Sequence, residues 1–143
     1  YPHCLFQAGP DNVDGYGNQV FNIRNADGEI MRSIIIFDSH AYTDGDYLGI
    51  RWLYDNIHEN QVDWYEKTLD EITEMNGGKE VPTSVMMHIP LVEYKDAWYE
   101  YLENDMNDTE NVKLVRGEIG EKEPYVLCGV HEDGLFEKIL EKI

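Results

Sequence analysis

The chain has 143 residues, and its 29 Asp and Glu against 11 Lys and Arg leave a formal charge of −18. That length suits one domain or a piece of one, and 42% apolar with 12% aromatic residues separate the chain from a disordered acidic tail. So few cations argue against a nucleic-acid surface and against adsorption to an anionic membrane, and the apolar run Ile34-Ile35-Ile36-Phe37 is far short of the ~20 residues needed to span a bilayer.

Along the chain, Gly9-Pro10-Asp11-Asn12 and Asp14-Gly15-Tyr16-Gly17-Asn18 are dense in turn formers and read as a folded-back loop. Val20 to Arg24 reads as a short strand, and Asn25-Ala26-Asp27-Gly28-Glu29 as a hairpin turn. The β-branched run Ile34 to Phe37, ending in Asp38-Ser39-His40, predicts a strand covered on both faces. From Asn56 the period changes to helical. Asn56 and Glu59 have capping-box spacing, Gly77-Gly78 supplies the stop, and Ile57, Val62, Trp64, Tyr65, Leu69, Ile72 and Met75 share one arc.

Val85-Met86-Met87 then predicts a second buried strand with His88 at its C-terminal end, and Tyr94 to Leu102 a short aromatic-rich helix. The acidic segment Glu103 to Glu123 reads as a surface excursion. Asp133 is placed to cap a last helix whose Leu135, Phe136, Ile139, Leu140 and Ile143 form an apolar stripe. Strand, helix, strand, helix in this order predicts an α/β fold with helices over a mostly buried sheet. The Trp64/Leu69/Ile72 face of the long helix should pack across that sheet, at ~1.5–3 kcal/mol for each large side chain buried.

Cys4 and Cys128 have no metal-module spacing, so they read as two free buried thiols or, in an exported protein, one end-to-end disulfide. No GxSxG, P-loop, HExxH or GxGxxG is present. The Asp-Gly turns fail as EF-hands, because Ile23, His40 or Gly129 would occupy the first ligand position, where aspartate is required.

Among single candidates, His88 stands first. An imidazole at the exit of a buried strand is held on a rigid element, at the edge where α/β proteins place ligands. The alternative is a partly buried histidine bonded to a carbonyl. Asp38 and His40 end the other strand and are candidates for the same edge, or for turn formation alone. Gln61, inside an apolar helical arc, reads as a buried amide serving backbone groups or as a substrate contact. Trp64 reads as core, Tyr94 as a pocket or exposed tyrosine, and His131 as part of a helix-start turn. His3 and His58 read as surface or turn residues.

Gly15-Tyr16-Gly17-Asn18-Gln19-Val20, Phe37-Asp38-Ser39, Gln61-Val62-Asp63-Trp64-Tyr65, His88-Ile89-Pro90-Leu91-Val92-Glu93-Tyr94 and Gly129-Val130-His131-Glu132-Asp133-Gly134-Leu135-Phe136 occur in an order and spacing that resembles one family. They look like the C-terminal portion of a calcineurin-like metallophosphoesterase, in the branch of purple acid phosphatase-like and Dcr2-type phosphatases. The resemblance implies a four-layer α/β/β/α sandwich, of which this chain is a part truncated at both ends. It also implies two divalent metal ions that polarise a phosphate ester and generate the nucleophile.

Of the family's ligand blocks only the lone histidine after a buried strand is matched, at His88. The Asp-x-His, Gly-Asp and Gly-Asn-His blocks are expected before Tyr1 and the Gly-His-x-His block after Ile143. Gly17-Asn18 is followed by Gln19, so it is not the Gly-Asn-His block.

The expected function is therefore that of a fragment of a metal-dependent phosphoesterase, inactive by itself and without the metal pair. The phosphate ester would be the substrate of the parent protein. Self-association through an uncovered sheet edge is expected of such a fragment. The competing class is a non-catalytic acidic interaction domain on a phosphoesterase-like scaffold. Substrate, metal identity and compartment are left open.

Overall fold

The computed structural model describes residues 2–43, 53–117, 128–129, 131 and 134–142. These form a mixed α/β structure with three strands and three helices, β1 (Gln19–Arg24), β2 (Ile30–Ile36), α1 (Glu59–Met75), β3 (Thr83–Met86), α2 (Glu93–Glu103) and α3 (Leu135–Leu140). The chain divides into two compact units. The first comprises Tyr1–Ser39, Ile57–His88 and Asp133–Ile143, and the second His40–Asn56 and Ile89–Glu132.

In the first unit, β1 and β2 are the arms of a hairpin. Asn25 shapes its turn by accepting the N–H groups of Asp27 and Glu29 on Oδ1, at 3.0 and 2.9 Å, a turn that an Asn side chain makes readily. Arg24 pairs with Ile30 and Ile23 with Arg32, so Met31 is the extra residue of a bulge. β2 then pairs with β3 in parallel, Ile34 with Ser84, Ile35 with Val85 and Ile36 with Met86. The expected strands are therefore present in one sheet of order β1-β2-β3. However, β3 ends at Met86, before Met87 and His88, and is not the buried strand expected: as an edge strand it is half-buried, with Met86 51% exposed.

α1 lies along β2 in the opposite direction. Near its start, Trp64 meets Phe37 edge-on with ring centroids 5.5 Å apart, and Tyr65 lies 6.0 Å from the same ring. Beyond its end, Asn76 Oδ1 accepts the Ile30 N–H at 2.8 Å. Between these anchors Ile35, Val62, Tyr65 and Ile72 are buried. The helix packs on the sheet as expected, but of the expected face Trp64/Leu69/Ile72 only Ile72 is fully buried, Trp64 and Leu69 being half-buried. Met75, assigned to the buried arc, is 56% exposed.

β2 is more buried on one face than the other. Ser33, Ile35 and Phe37 are buried, whereas Ile34 and Ile36 on the opposite face are half-buried. Cross-strand pairing puts Phe21 beside Ile34, and Gln19 and Met86 beside Ile36.

Several boundaries differ from expectation: β2 starts at Ile30 instead of Ile34 and β3 at Thr83 instead of Val85, and the starts of α1 and α3 are shifted. α1 starts at Glu59 with His58, in extended conformation, as its N-cap. The spacing Asn56-x-x-Glu59 is matched two residues later by His58-x-x-Gln61, and the latter holds because Gln61 Oε1 accepts the His58 N–H at 2.9 Å. α3 is preceded by Gly134 in the left-handed conformation, its φ being 83°, which glycine adopts without strain. Asp133 and Ile143 lie outside the described residues. α3 lies beside α1, with Lys138 Nζ 3.1 Å from Glu66 and Lys142 Nζ 3.8 Å from Asp70. Glu66 first, then Glu141, raise the Lys138 pKa above the ordinary lysine value.

The second unit has no ladder longer than single bridges among its described residues. Tyr42 bridges Tyr54, and Tyr54 bridges Gly129, with the two tyrosine rings stacked at 5.5 Å. At Gly129 a Cβ would come within 2.6 Å of the Asp55 carbonyl oxygen, so the residue must be glycine. α2 buries Trp98, whose ring stacks on Tyr101 at 5.6 Å. Residues 104–117 then carry no helix or strand, as expected for a surface excursion.

Both cysteines are free. Cys128 is buried, and desolvation raises its pKa above the ordinary thiol value. Cys4 is exposed, contrary to expectation, because the N-terminal turn offers no apolar cover. No helix among the described residues is long and apolar enough to cross a membrane.

Candidate functional site

Parallel pairing of β2 and β3 brings their C-terminal ends to one edge of the sheet, where the Phe37 N–H donates to the Met86 carbonyl at 2.9 Å. Asp38 follows β2 there, and His88 follows β3 by two residues. The two candidates read from the sequence thus leave the sheet at the same edge. They differ in what they do.

Asp38 is engaged. Its Oδ2 accepts the Tyr16 N–H at 2.6 Å, and its N–H donates to Asn18 Oδ1 at 3.1 Å. Its carbonyl accepts Gln61 Nε2 at 2.7 Å. Gly15, with φ of 90°, lies so close that a Cβ would come within 2.8 Å of the Asp38 Cβ. Turn formation is therefore what Asp38 does in this unit. His88 lies in a bend and is exposed. Among the described residues it makes no hydrogen bond or ion pair.

Behind this edge lies a buried polar knot. Gln61 and Asn18 are 0% and 1% exposed, so their amides are removed from bulk solvent. Gln61 Nε2 donates to Asn18 Oδ1 at 2.9 Å as well as to the Asp38 carbonyl, and Asn18 Nδ2 donates to the Asp14 carbonyl at 2.7 Å. Every polar atom of both amides therefore has a partner, the condition under which a buried network rigidifies its surroundings. The knot ties the loop before β1, the end of β2 and the start of α1. This agrees with the buried-amide reading of Gln61.

His58 extends the knot outward. Its Nδ1 lies 2.7 Å from Asp14 Oδ2, with both side chains partly exposed. The sequence reading gave His58 and Asn18 no such role. The signal was present in the joint occurrence of Asp14, Asn18, His58 and Gln61, but polar residues in turns look alike until the fold brings them together.

The remaining candidates are dispersed. Trp64 is half-buried against Phe37, Tyr94 is 60% exposed in the first turn of α2, and His131 and His3 are exposed. His40 and Asp55 belong to the second unit and His58 to the first. Within either unit taken by itself, no three described His, Cys, Asp or Glu side chains converge as a metal site requires. His88 alone does not hold a catalytic metal, which takes several ligands of fixed geometry.

No protein-family model matches the chain, and no solved structure matches it. Among curated proteins, one from Arabidopsis thaliana named "Probable inactive purple acid phosphatase 28" is 26% identical over 89 residues. The match covers 61% of this chain and 22% of that protein. This is a distant likeness, which supports a metallophosphoesterase-like relationship and no closer assignment. The chain spans under a quarter of the relative's length.

Proposed function

We propose that the chain is a segment of a single metallophosphoesterase domain of the purple acid phosphatase-like kind, with His88 as one metal ligand. The other ligands are then supplied by parts of the protein outside this chain. The observation that carries the reading is the position of His88. It stands exposed, and without a partner among the described residues, just past a parallel strand. That is the edge at which open α/β sheets bind ligands. The likeness to a purple acid phosphatase relative supplies the chemical class.

In this reading the half-buried face with Phe21, Ile34 and Ile36 receives the second sheet of a four-layer α/β/β/α sandwich. Two divalent ions, when bound, supply Lewis-acid polarisation of a phosphate ester. This chain's contribution is positional. The knot of Asn18, Gln61 and Asp38 holds the sheet edge, and β3 presents the imidazole. The edge strand β1 is a place where copies of the isolated chain would associate.

A second reading is favoured by the word "inactive" in the relative's name: a phosphoesterase-like scaffold that retains binding and has lost catalysis. Aryl-phosphate hydrolysis by the full-length protein separates the two. The first reading expects turnover that His88→Ala lowers by orders of magnitude with the fold intact. No turnover with any divalent metal supports the second reading, and full turnover in the variant overturns the placement of His88.

A further inference from the structure

Ten asparagines occur in the chain, and Asn107 alone has a hydroxyl residue two positions on, in Asn107-Asp108-Thr109. We propose that Asn107 is an N-glycosylation site. The acceptor pattern Asn-x-Ser/Thr, with x other than proline, is met. The inference is independent of the phosphoesterase reading.

The structure puts this tripeptide where a glycan fits. α2 ends at Glu103, and the chain turns outward through Asp105 and Met106, whose φ values are 54° and 58°. Residues 103–108 are all exposed, so a bulky hydrophilic group at Asn107 displaces no packed side chain.

The local hydrogen bonds tolerate the group. Asn107 Nδ2 donates to the Asn104 and Asp105 carbonyls at 3.1 and 3.0 Å. Glycosylation replaces one of its two hydrogens, so one of these bonds is kept. The turn is also closed by its backbone, with the Asn107 N–H on the Asn104 carbonyl and the Met106 N–H on the Tyr101 carbonyl.

Thr109 fixes the order of events. In the folded chain its hydroxyl bonds Glu100 and accepts the Asn111 and Val112 N–H groups. It is thus occupied in the loop and unavailable to a transferase. Attachment precedes folding of this turn, and the folded chain then keeps the modified Asn107 at the surface. In the transfer, the Nδ2–C1 bond forms while the bond from C1 to the pyrophosphate oxygen of a lipid-linked oligosaccharide breaks. The lipid pyrophosphate leaves with the bonding pair, and the Nδ2 proton passes to a base on the transferase.

The test uses the native protein from the organism that makes it. Amidase release of N-glycans in heavy-oxygen water converts a glycosylated asparagine to labelled aspartate. Tryptic cleavage after Lys95 and Lys113 isolates residues 96–113, which include Asn104 and Asn111 as internal controls. Label at Asn107 alone is the expected result. In the same source, Asn107→Gln should abolish the glycan-dependent mobility shift of the protein and Thr109→Ser should keep it. Recovery of the peptide only in its unlabelled form, or a shift that survives Asn107→Gln, overturns the assignment.

Discussion

Gln61 in the first unit and Trp98 in the second are both buried polar-tipped side chains, yet they end differently. Both nitrogen and oxygen of the Gln61 amide reach partners at 2.7–2.9 Å, whereas the Trp98 Nε1–H meets no acceptor among the described residues. The first unit joins a ladder, a 17-residue helix and a satisfied polar knot. Among its described residues, the second shows stacked aromatics and single bridges. The contrast teaches that, among the described residues, the buried polar groups behind the sheet edge that carries Asp38 and His88 are satisfied by one another.

The largest break in that contrast is Gln61→Leu. It removes the hydrogen bonds that Gln61 makes with the His58 N–H, the Asp38 carbonyl and Asn18 Oδ1, and a buried polar group that loses its bond costs ~1–3 kcal/mol. We expect a loss of about 3 kcal/mol or more in urea unfolding, and a loss under about 1 kcal/mol would show that the knot does not hold the unit. Next comes Gly15→Ala, which forces a Cβ against Asp38 at a positive φ. Strain of this kind costs ~1–3 kcal/mol, readable as a fall in the thermal midpoint.

Trp98→Phe should behave differently. It removes an orphan N–H while leaving a small cavity, two opposing terms of ~1–3 kcal/mol each, so the net change in unfolding free energy should be close to zero. A large loss would mean that the indole is satisfied in solution.

The smallest effect concerns Glu29, whose carboxyl is held below its ordinary pKa by the Lys79 hydrogen bond, then by Asn25 and by the Lys79 charge. A lowered folded pKa means that the native state binds fewer protons than the unfolded state in acid. The stabilisation is therefore complete above the ordinary glutamate pKa and is lost as pH falls through the lowered folded value. Comparison of Glu29→Gln with the unaltered chain should show a small stability gap at neutral pH that closes in acid. A gap independent of pH would contradict the assignment.

How much was legible in the sequence follows the same division. Ile34 to Phe37 and the arc of Ile57, Val62, Trp64, Tyr65, Leu69, Ile72 and Met75 announced a strand and a helix, because apolar period reports a buried face, although Met75 at the helix end is exposed. Gln61 was legible as a buried amide because it interrupts that arc. Asn18 and His58 were not, since beyond the local bonds to Asp14 and Gln61 their partners lie 20 to 44 positions away and nothing in a turn sequence distinguishes a buried asparagine from a solvated one. The helix start was misplaced at Asn56 because that residue packs against Gly129 in the second unit, a contact that no local pattern encodes. His88 was legible by position, but a single imidazole carries no local pattern that tells a metal ligand from an exposed histidine.

The most direct measurement is elemental analysis of the full-length protein beside its His88→Ala variant, both purified without added metal and shown to be folded by circular dichroism. The account predicts two metal ions per unaltered protein and a clear loss of one in the variant, with the isolated 143-residue chain holding no stoichiometric pair. Equal metal content with and without His88, or a full pair on the isolated chain, would contradict it.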